Sequence, residues 1–276
     1  MAALGLMGTM GFFATGTVQA HEKETTMTQN NGSDTLTIAL VHGAFADASS
    51  WNGVIEGLLA SGHQVVAPSN PLRGISIDSA YIASYFNQIP GPVLAVGHSY
   101  GGAIITNAAA KAPNVVGLVI VAGFAPDVGE VLQEVEKGSK DSVLNTVLLA
   151  RSYPTGQGEE TAMEFLIDPT RFHDAFSADL PLEQSALLAA GQRPASELAF
   201  SEPTSAAAWK NLPVWAVVAT GDTAAGHDVT RAMAERAGAT ITELEGSHVI
   251  MISQPRAVTE VILSAVAAVG AAQLSA

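Results

Sequence analysis

The stretch VLAVGHSYGGAIITNAAA, residues 93–110, carries the most information about the fold of this chain. Four apolar residues precede the pentapeptide G-x-S-x-G at 97–101, and apolar residues at helical spacing follow it. This pattern predicts a strand, a sharp turn with Ser99 at its tip, and a helix. Such a turn lifts the serine hydroxyl out of the fold, beside the free backbone N–H groups that begin the helix. Because the pentapeptide alone also fits a surface turn, its meaning depends on the segments around it.

Apolar segments alternate with helical patterns on both sides of this turn. Short apolar runs typical of buried strands lie at 36–41, 63–68, 92–96, 115–122, 213–219 and 239–244. Helical spacing of apolar residues is found between and after them, at 50–60, 76–88, 100–111, 228–237 and 255–268. Strands that alternate with helices predict an α/β fold, in which a mostly parallel sheet is covered by helices on both faces.

The alternation is interrupted at residues 126–210. This segment has helical patches at 143–149 and 182–190, several Pro and Gly residues, and no convincing strand. The pattern predicts a helical cap or lid, inserted into a core formed by residues 35–125 and 211–276. The many apolar residues of the insertion favour a position over the carboxyl edge of the sheet rather than a loose surface excursion.

Composition excludes several classes of function. The 276 residues carry a formal charge of −14, and their 12 Lys and Arg form no basic cluster, which argues against a nucleic-acid partner. The chain has no Cys, so disulfides, thiol catalysis and thiolate metal sites are excluded. It has no phosphate-binding or dinucleotide-binding glycine loop, and the pair His227–Asp228 lacks further ligands. We therefore predict no cofactor, no metal and a small-molecule partner, and the oligomeric state stays open.

The first 20 residues differ from the rest of the chain. They carry no charged residue and end in Val18-Gln19-Ala20, a small-x-small cleavage pattern, which predicts a signal peptide at 1–20. A basic segment at its start is missing, and the apolar part is too short and interrupted for a stable membrane span. Residues 21–34 are polar and predict a flexible lead-in. We expect a secreted or periplasmic protein, with a cytoplasmic one as the alternative.

Two further polar residues follow predicted strands, as Ser99 does. Asp222 comes after the run 213–219, and His248 comes after the run 239–244. Loops that follow parallel strands share the carboxyl edge of the sheet, so residues distant in sequence can meet there. Their order, Ser, Asp and His, is that of a hydrolase triad. Asp228 is the alternative acid, although its greater distance from the strand favours Asp222.

At this point the sequence resembles the α/β-hydrolase fold superfamily, over roughly residues 35–270. Within it, the chain is similar to small serine esterases that include plant methylesterases and hydroxynitrile lyases. The resemblance rests on VHGAF at 41–45, GHSYGG at 97–102, the Asp222 loop and GSH at 246–248. It implies an α/β-hydrolase fold with a cap, and acyl-transfer chemistry that needs no cofactor.

The chemistry explains why these residue types are required. A serine hydroxyl is a weak nucleophile near neutral pH, so His248 would accept the proton of Ser99 during attack and return it to the leaving group. Asp222 would hold the imidazole in one tautomer and stabilise its protonated form. Two other histidines flank the predicted site. We expect His42 to order its loop and His98 to fill space behind the turn.

A tetrahedral oxyanion also needs preorganised N–H donors. The turn at Ser99 supplies the backbone N–H of Tyr100, and the turn after His42-Gly43 supplies a second donor. The resemblance points to Ala44 for that second donor, with Phe45 as the fallback. Phe45 and Trp51 are candidates to line the substrate pocket, and core packing is an equal alternative for Trp51 because it begins a predicted helix.

The residues also separate this chain from several relatives. Dehalogenases and epoxide hydrolases of this fold use an aspartate nucleophile where this chain has Ser99. Related hydroxynitrile lyases need a Thr at the position of Gly43 and a Lys at the position of Val249. The sequence therefore favours a carboxylesterase acting on small to medium neutral esters. Perhydrolase or haloperoxidase-like chemistry, C–C bond hydrolysis, and a ligand receptor on the same scaffold are the alternatives.

Overall fold

A six-stranded parallel sheet forms the centre of the protein. The computed structural model describes residues 35–273, so the predicted signal peptide at 1–20 and lead-in at 21–34 lie outside the described residues. The strands within 35–273 are β1 (Thr37–Val41), β2 (Gln64–Val66), β3 (Val93–His98), β4 (Val115–Val121), β5 (Leu148–Pro154), β6 (Thr161–Ile167), β7 (Ala195–Ser196), β8 (Val214–Ala219) and β9 (Thr240–Leu244). The large sheet has the order β2-β1-β3-β4-β8-β9, and all of its pairings are parallel. This confirms the predicted α/β-hydrolase architecture.

Helices cover both faces of this sheet. Those within the described residues are α1 (Asn52–Ala60), α2 (Ile75–Asn87), α3 (Tyr100–Ala109), α4 (Leu132–Lys137), α5 (Phe172–Phe176), α6 (Leu182–Gly191), α7 (Leu198–Ser201), α8 (His227–Arg236), α9 (Ile250–Ser253) and α10 (Pro255–Gln273). Alternate residues of each central strand point to opposite faces. In β3, for example, Val93 and Ala95 join the core under α2 and α3, whereas Leu94 and Val96 join the core under α1 and α10.

The strand order reverses next to β1, and this reversal positions the site. The chain runs from β1 out to β2 at the edge of the sheet and then returns to β3, which pairs with the other side of β1. Val41 at the end of β1 consequently lies beside Gly97 in β3. Loops that leave neighbouring strands in opposite directions open a crevice at the carboxyl edge of a parallel sheet. The turn after His42 and the turn at Ser99 therefore lie side by side.

The insertion at 126–210, here named the cap, contains a small antiparallel sheet, so the prediction that it holds no strand is wrong. Strands β5 and β6 form a hairpin from Leu148↔Ile167 to Pro154↔Thr161, and β7 pairs with β6. The apolar patch predicted as helical at 143–149 is a short 3-10 turn that runs into β5. Leu148 and Leu149 of this patch pair with β6, the next strand, and that pairing overrides the local helical spacing. The predicted helical patch at 182–190 corresponds to α6 and is correct.

Helix α10 is, among the described residues, the one helix long and apolar enough to cross a membrane by length and composition. Its inward residues Val258, Ile262, Ala265 and Val269 are buried against the central sheet. Their spacing, four, three and four residues, is that of one apolar face on an amphipathic helix. The apolar character of α10 thus corresponds to the packing of a core helix.

Candidate active site

Ser99 lies at a strained turn between β3 and α3. Its backbone has φ 55° and ψ −125°, a region that non-glycine residues rarely adopt and that costs on the order of 1–3 kcal/mol. The Ser99 N–H donates to Val121 O (3.1 Å), and its carbonyl accepts from the N–H groups of Gly102 (2.9 Å) and Phe124 (3.2 Å). These three hydrogen bonds hold the turn in place.

The turn fits only because its neighbours lack side chains. A Cβ added at Gly97 would meet the backbone of Gly101, and one added at Gly101 would meet the carbonyl oxygen of Val41. These contacts are with backbone atoms, which cannot move aside as a flexible side chain can. The spacing of the pentapeptide therefore reflects the close approach of α3 to the ends of β1 and β3.

His248 and Asp222 extend from Ser99 as a continuous hydrogen-bonded chain. His248 Nε2 lies 2.8 Å from Ser99 Oγ, and His248 Nδ1 lies 2.8 Å from Asp222 Oδ2. Ser99 is 7% exposed, His248 2% and Asp222 1%, so the chain is shielded from bulk water. If Nδ1 carries the proton and donates to the carboxylate, Nε2 presents a lone pair to the serine hydroxyl, as a general base requires.

The loop after β8 immobilises the carboxylate of Asp222. Its Oδ1 accepts from the backbone N–H groups of Ala224 (2.9 Å) and Ala225 (3.0 Å), while Oδ2 faces His248. Both oxygens therefore have partners, and the carboxylate cannot rotate without breaking hydrogen bonds. The aspartate that orients the imidazole is thus itself fixed by backbone donors.

Asp228, the alternative acid, lies at the start of α8 and points elsewhere. Its carboxylate accepts from Ser139 Oγ (2.5 Å) and from the backbone N–H of Lys140 (2.8 Å), both in the cap. The hydrogen bond from His248 goes to Asp222 instead. Of the two candidate acids, the structure brings only Asp222 to the histidine, and Asp228 joins the cap to the core.

Two backbone N–H groups next to Ser99 are candidates for binding an oxyanion. Tyr100 is the first residue of α3, so its N–H has no acceptor within the helix. Across residues 35–273, no acceptor is paired with the N–H of Ala44. Gly43 brings this second turn against the first, since a Cβ there would lie 2.7 Å from Ser99 Cβ. Phe45, the fallback donor, has a backbone φ of 61°, in the left-handed region that residues other than Gly rarely adopt.

Aromatic rings from the cap surround the site. The Phe176 ring lies 4.9 Å from the His248 ring and packs edge-on against Phe45 at 6.3 Å. Phe200 stacks against Phe45 at 6.0 Å. Sequence reasoning singled out Phe45 and missed the two cap rings, because nothing local links residues 176 and 200 to the turn after β1. The one available signal was that the insertion holds four of the nine Phe residues of the chain.

A cavity of about 100 Å³ opens beside these rings. Its wall is mainly apolar and also contains Asp47, Ser49 and Ser50; the apolar side chains include Phe45, Phe172, Phe176, Leu187, Leu188, Val249 and Ile252. Ser99 and His248 do not line the cavity, whereas Phe176 does, and its ring lies 4.9 Å from the His248 ring. The cavity therefore adjoins His248 through Phe176 and Val249 without including the serine.

Trp51 lies in the core and not in this cavity. Its side chain is fully buried with the residues under α1 and α10, and its ring meets His98 edge-on at 6.3 Å. The pocket prediction for Trp51 is therefore wrong, and the core alternative is observed. His98 is also fully buried, and its Nε2 lies 2.9 Å from the carbonyl oxygen of His248. Desolvation by burial, with His248 nearby, holds the pKa of His98 well below its usual value, so His98 supports the His248 loop as a neutral ring.

Glu136, which sequence reasoning missed, is a buried acid on helix α4 of the cap. Its carboxyl is shielded from solvent, and Oε1 has no hydrogen-bond partner among residues 35–273. Burial, with the nearby charge of Asp222 adding to it, raises the pKa of Glu136 to about 8. The carboxyl is therefore neutral at neutral pH, when a second negative charge near Asp222 would be costly. Within the described residues, no group of three or more His, Asp or Glu side chains is arranged to hold a metal.

Comparison with known proteins agrees with this architecture. The model of the family described as "Alpha/beta hydrolase family" matches residues 38–261. A carbendazim hydrolyzing esterase from Nocardioides sp. (strain SG-4G) is 30% identical over 106 residues, which is 34% of this chain and 44% of that esterase. The matched region therefore spans less than half the length of this curated relative.

Solved structures share the fold over most of their length. Polyneuridine aldehyde esterase superposes with a TM-score of 0.69 at 22% identity, covering 84% of this chain and 99% of that one. An extracellular alpha/beta-hydrolase from a Paenibacillus species superposes with a TM-score of 0.68 at 20% identity, covering 83% and 98%. At such identities the likeness establishes the fold alone.

Proposed function

The chain belongs to the alpha/beta hydrolase family, and from that premise we propose that it cleaves carboxylic esters through an acyl-enzyme formed on Ser99. The observation that carries the proposal is the hydrogen-bonded chain from Ser99 through His248 to Asp222, with both links at 2.8 Å. A nucleophile, a base and a residue that orients the base are the three parts that acyl transfer requires.

The reaction follows from these contacts. Ser99 Oγ attacks the ester carbonyl carbon while its proton passes to His248 Nε2, and Asp222 stabilises the resulting imidazolium. The N–H groups of Tyr100 and Ala44 donate to the oxyanion of the tetrahedral intermediate. The protonated imidazole then gives its proton to the departing alkoxide, and the acyl group stays on the serine. Water, deprotonated by His248, attacks the acyl-enzyme and releases the acid and free serine.

The cavity supports small to medium, neutral and largely apolar esters as substrates. Its wall is formed mainly by phenylalanine and aliphatic side chains, and the −14 formal charge of the chain disfavours anionic substrates. The curated relative is named as an esterase, which supports ester cleavage. Acyl length and alcohol bulk are the two variables that the size of the cavity should restrict.

The test is hydrolysis of p-nitrophenyl esters with acyl chains of two to eight carbons, comparing wild type with Ser99→Ala. We expect the variant to lose at least about 10⁴-fold in kcat, because the nucleophile is removed. Ser84→Ala, which removes an exposed hydroxyl on α2, is the matched control and should retain full activity. Comparable activity in Ser99→Ala would reject this mechanism. A protein that binds a ligand, does not turn esters over and is not labelled by a fluorophosphonate would instead be a receptor.

We also propose that the protein is exported, with cleavage after Ala20. This rests on the uncharged first 20 residues and the Val18-Gln19-Ala20 pattern, and the extracellular Paenibacillus hydrolase supports it. N-terminal sequencing of protein purified from a secreting bacterial host should begin at His21. A protein that keeps its first residues and stays inside the cell would contradict export without affecting the proposed chemistry.

A further inference from the structure

Arg193 reaches from the cap to the turn that follows β1. It lies between α6 and β7, and its Nη1 donates to the carbonyl oxygen of Asn70 at 3.1 Å. The same nitrogen lies 3.3 Å from His42 Nε2, which also accepts from the backbone N–H of Asn70 at 3.0 Å. His42 and Asn70 are both fully buried. One ring nitrogen of His42 therefore faces two donors.

These donors determine which nitrogen of His42 carries the proton. Because Nε2 accepts, the proton of the neutral ring lies on Nδ1, which is 2.9 Å from the carbonyl oxygen of Gly43 and donates to it. Burial lowers the pKa of His42 to about 4, and the charge of Arg193 acts in the same direction. The imidazole is therefore neutral at neutral pH and keeps this arrangement.

The hydrogen bond to Gly43 orients the next peptide plane. In a trans peptide the C=O and the following N–H point in opposite directions. When His42 holds the carbonyl oxygen of Gly43, the N–H of Ala44 points away from His42. That N–H has no acceptor in the described residues, and Gly43 brings its turn against Ser99.

We propose that Arg193 is a positioning residue for the oxyanion donor: through His42, the cap fixes the peptide whose N–H stabilises the tetrahedral intermediate. This inference rests on the proposed function. Full activity then requires that the cap stays in contact with the core. A second hydrogen bond holds the same part of the cap there, since the N–H of Ser196, close to Arg193 in sequence, donates to Leu72 O at 2.9 Å. An arginine of the cap thus contributes to the reaction without contacting the reacting atoms.

The surroundings of Arg193 agree with this role. Within residues 35–273, no carboxylate lies within ion-pair distance of its guanidinium. Asp47, the acid that acts electrostatically on both Arg193 and His42, instead accepts from the backbone N–H of Ser49 at 2.7 Å. The hydrogen bonds of the guanidinium in the described residues go to His42 and Asn70.

The test compares Arg193→Gln with Arg171→Gln, which removes an exposed arginine of the same cap. We expect Arg193→Gln to lower kcat for p-nitrophenyl acetate roughly 10-fold with KM within about twofold, because the misplaced donor matters in the transition state. Arg171→Gln should match wild type. Arg193→Lys, which keeps a charged donor, should recover part of kcat. Affinity for a boronic acid that forms a tetrahedral adduct should fall in parallel with kcat.

A double-mutant cycle with His42→Gln tests the route of the effect. If Arg193 acts through His42, Arg193→Gln should change kcat little further in a His42→Gln background. Equal kcat in Arg193→Gln and Arg171→Gln would overturn the inference. An increase in KM with unchanged kcat in Arg193→Gln would overturn it as well. If His42→Gln fails to fold, the Arg193 and Arg171 comparison decides. Absence of Ser99-dependent hydrolysis in wild type would instead reject the proposed function itself.

Discussion

The turn at Ser99 and the cap at 126–210 are held by different kinds of contact. Around the serine, Gly97 and Gly101 let backbone approach backbone, and an added methyl group has no room. The cap packs aromatic rings against Phe45, and single polar contacts between distant parts of the chain also join it to the core: Arg73–Glu164, Ser247–Asp179, Ser139–Asp228, Arg193–Asn70 and Ser196–Leu72. Close backbone packing tolerates almost no change in volume, whereas polar contacts can be exchanged one at a time. The two regions should therefore respond differently to the same substitution.

The largest difference is expected between the two aspartates. Asp222→Asn should lower kcat about 10⁴-fold, because an amide facing His248 favours the wrong tautomer of the imidazole. Asp228→Asn should leave kcat within a few-fold, since its partners are Ser139 and Lys140 of the cap. Both are measured with p-nitrophenyl esters at saturating substrate. A large loss of kcat in Asp228→Asn would show that catalysis depends on the contact between Asp228 and the cap.

Adding one methyl group at two glycines compares the regions directly. Gly101→Ala should destabilise the fold by about 3 kcal/mol or more, because its Cβ would overlap the carbonyl oxygen of Val41. Gly191→Ala, at the end of α6, has open space around it and should be neutral or stabilising by up to about 1 kcal/mol. Urea unfolding followed by circular dichroism measures both. Equal effects would mean that the packing around Ser99 relaxes as readily as the cap.

Glu136 predicts a pH dependence that runs opposite to that of an ion-paired acid. Its pKa is raised from 4.5 to about 8 in the folded state, so the native protein keeps a proton that the unfolded chain releases. The free energy of unfolding should therefore fall as pH rises from about 5 to about 8. Glu136→Gln stays neutral at every pH and should be more stable than wild type at pH 8, by on the order of a few kcal/mol.

The control for Glu136 lies on the same helix. Glu134 is exposed and pairs with Lys137, so Glu134→Gln should change stability little and with no such dependence on pH. Unfolding midpoints at pH 5, 6.5 and 8 distinguish the variants. A constant difference between Glu136→Gln and wild type across this range would mean that Glu136 is ionised throughout.

The smallest effect is expected at the salt bridge between Arg73 and Glu164. These groups lie 2.8 Å apart and are partly exposed, and Arg73 also stacks over Tyr153 at 4.5 Å. Arg73→Gln should cost about 1 kcal/mol or less, and added salt should reduce the difference. Lys137→Gln, which breaks an exposed pair within α4, is the control and should cost less still. A cost above about 3 kcal/mol would place this contact with the rigid packing around Ser99.

Local pattern was sufficient for the central sheet and for the order of the site residues. The apolar runs at 93–96 and 214–219 are buried in strands, and Ser99 and Asp222 follow these strands at the carboxyl edge. These features depend on period and on turn chemistry, which a short window of sequence contains. The same window could not predict the β5–β6 hairpin, because a run of apolar residues fits a helix or a strand until its partner is known.

The residues around the site were harder to predict for the same reason. Arg193 acts on His42 across 151 positions, and Glu136 acquires its raised pKa only because folding buries it near Asp222. Trp51 shows the converse case. Its sequence position near the turn after β1 suggested the pocket, but the helical spacing of its neighbours turns the ring into the core. Long-range contacts, which a short window of sequence does not show, determine which residues line the pocket.

The hydrogen bond from Ser196 N–H to Leu72 O provides a probe of cap motion by hydrogen exchange. Both residues are fully buried, and the amide belongs to the cap while its acceptor belongs to the loop before α2. Such an amide exchanges its hydrogen for deuterium only when the two parts separate. Its exchange rate, compared with the exchange rates of the amides in α3, would report how often this hydrogen bond between cap and core opens. Motion of the cap could thus be timed at a single position, without any substrate present.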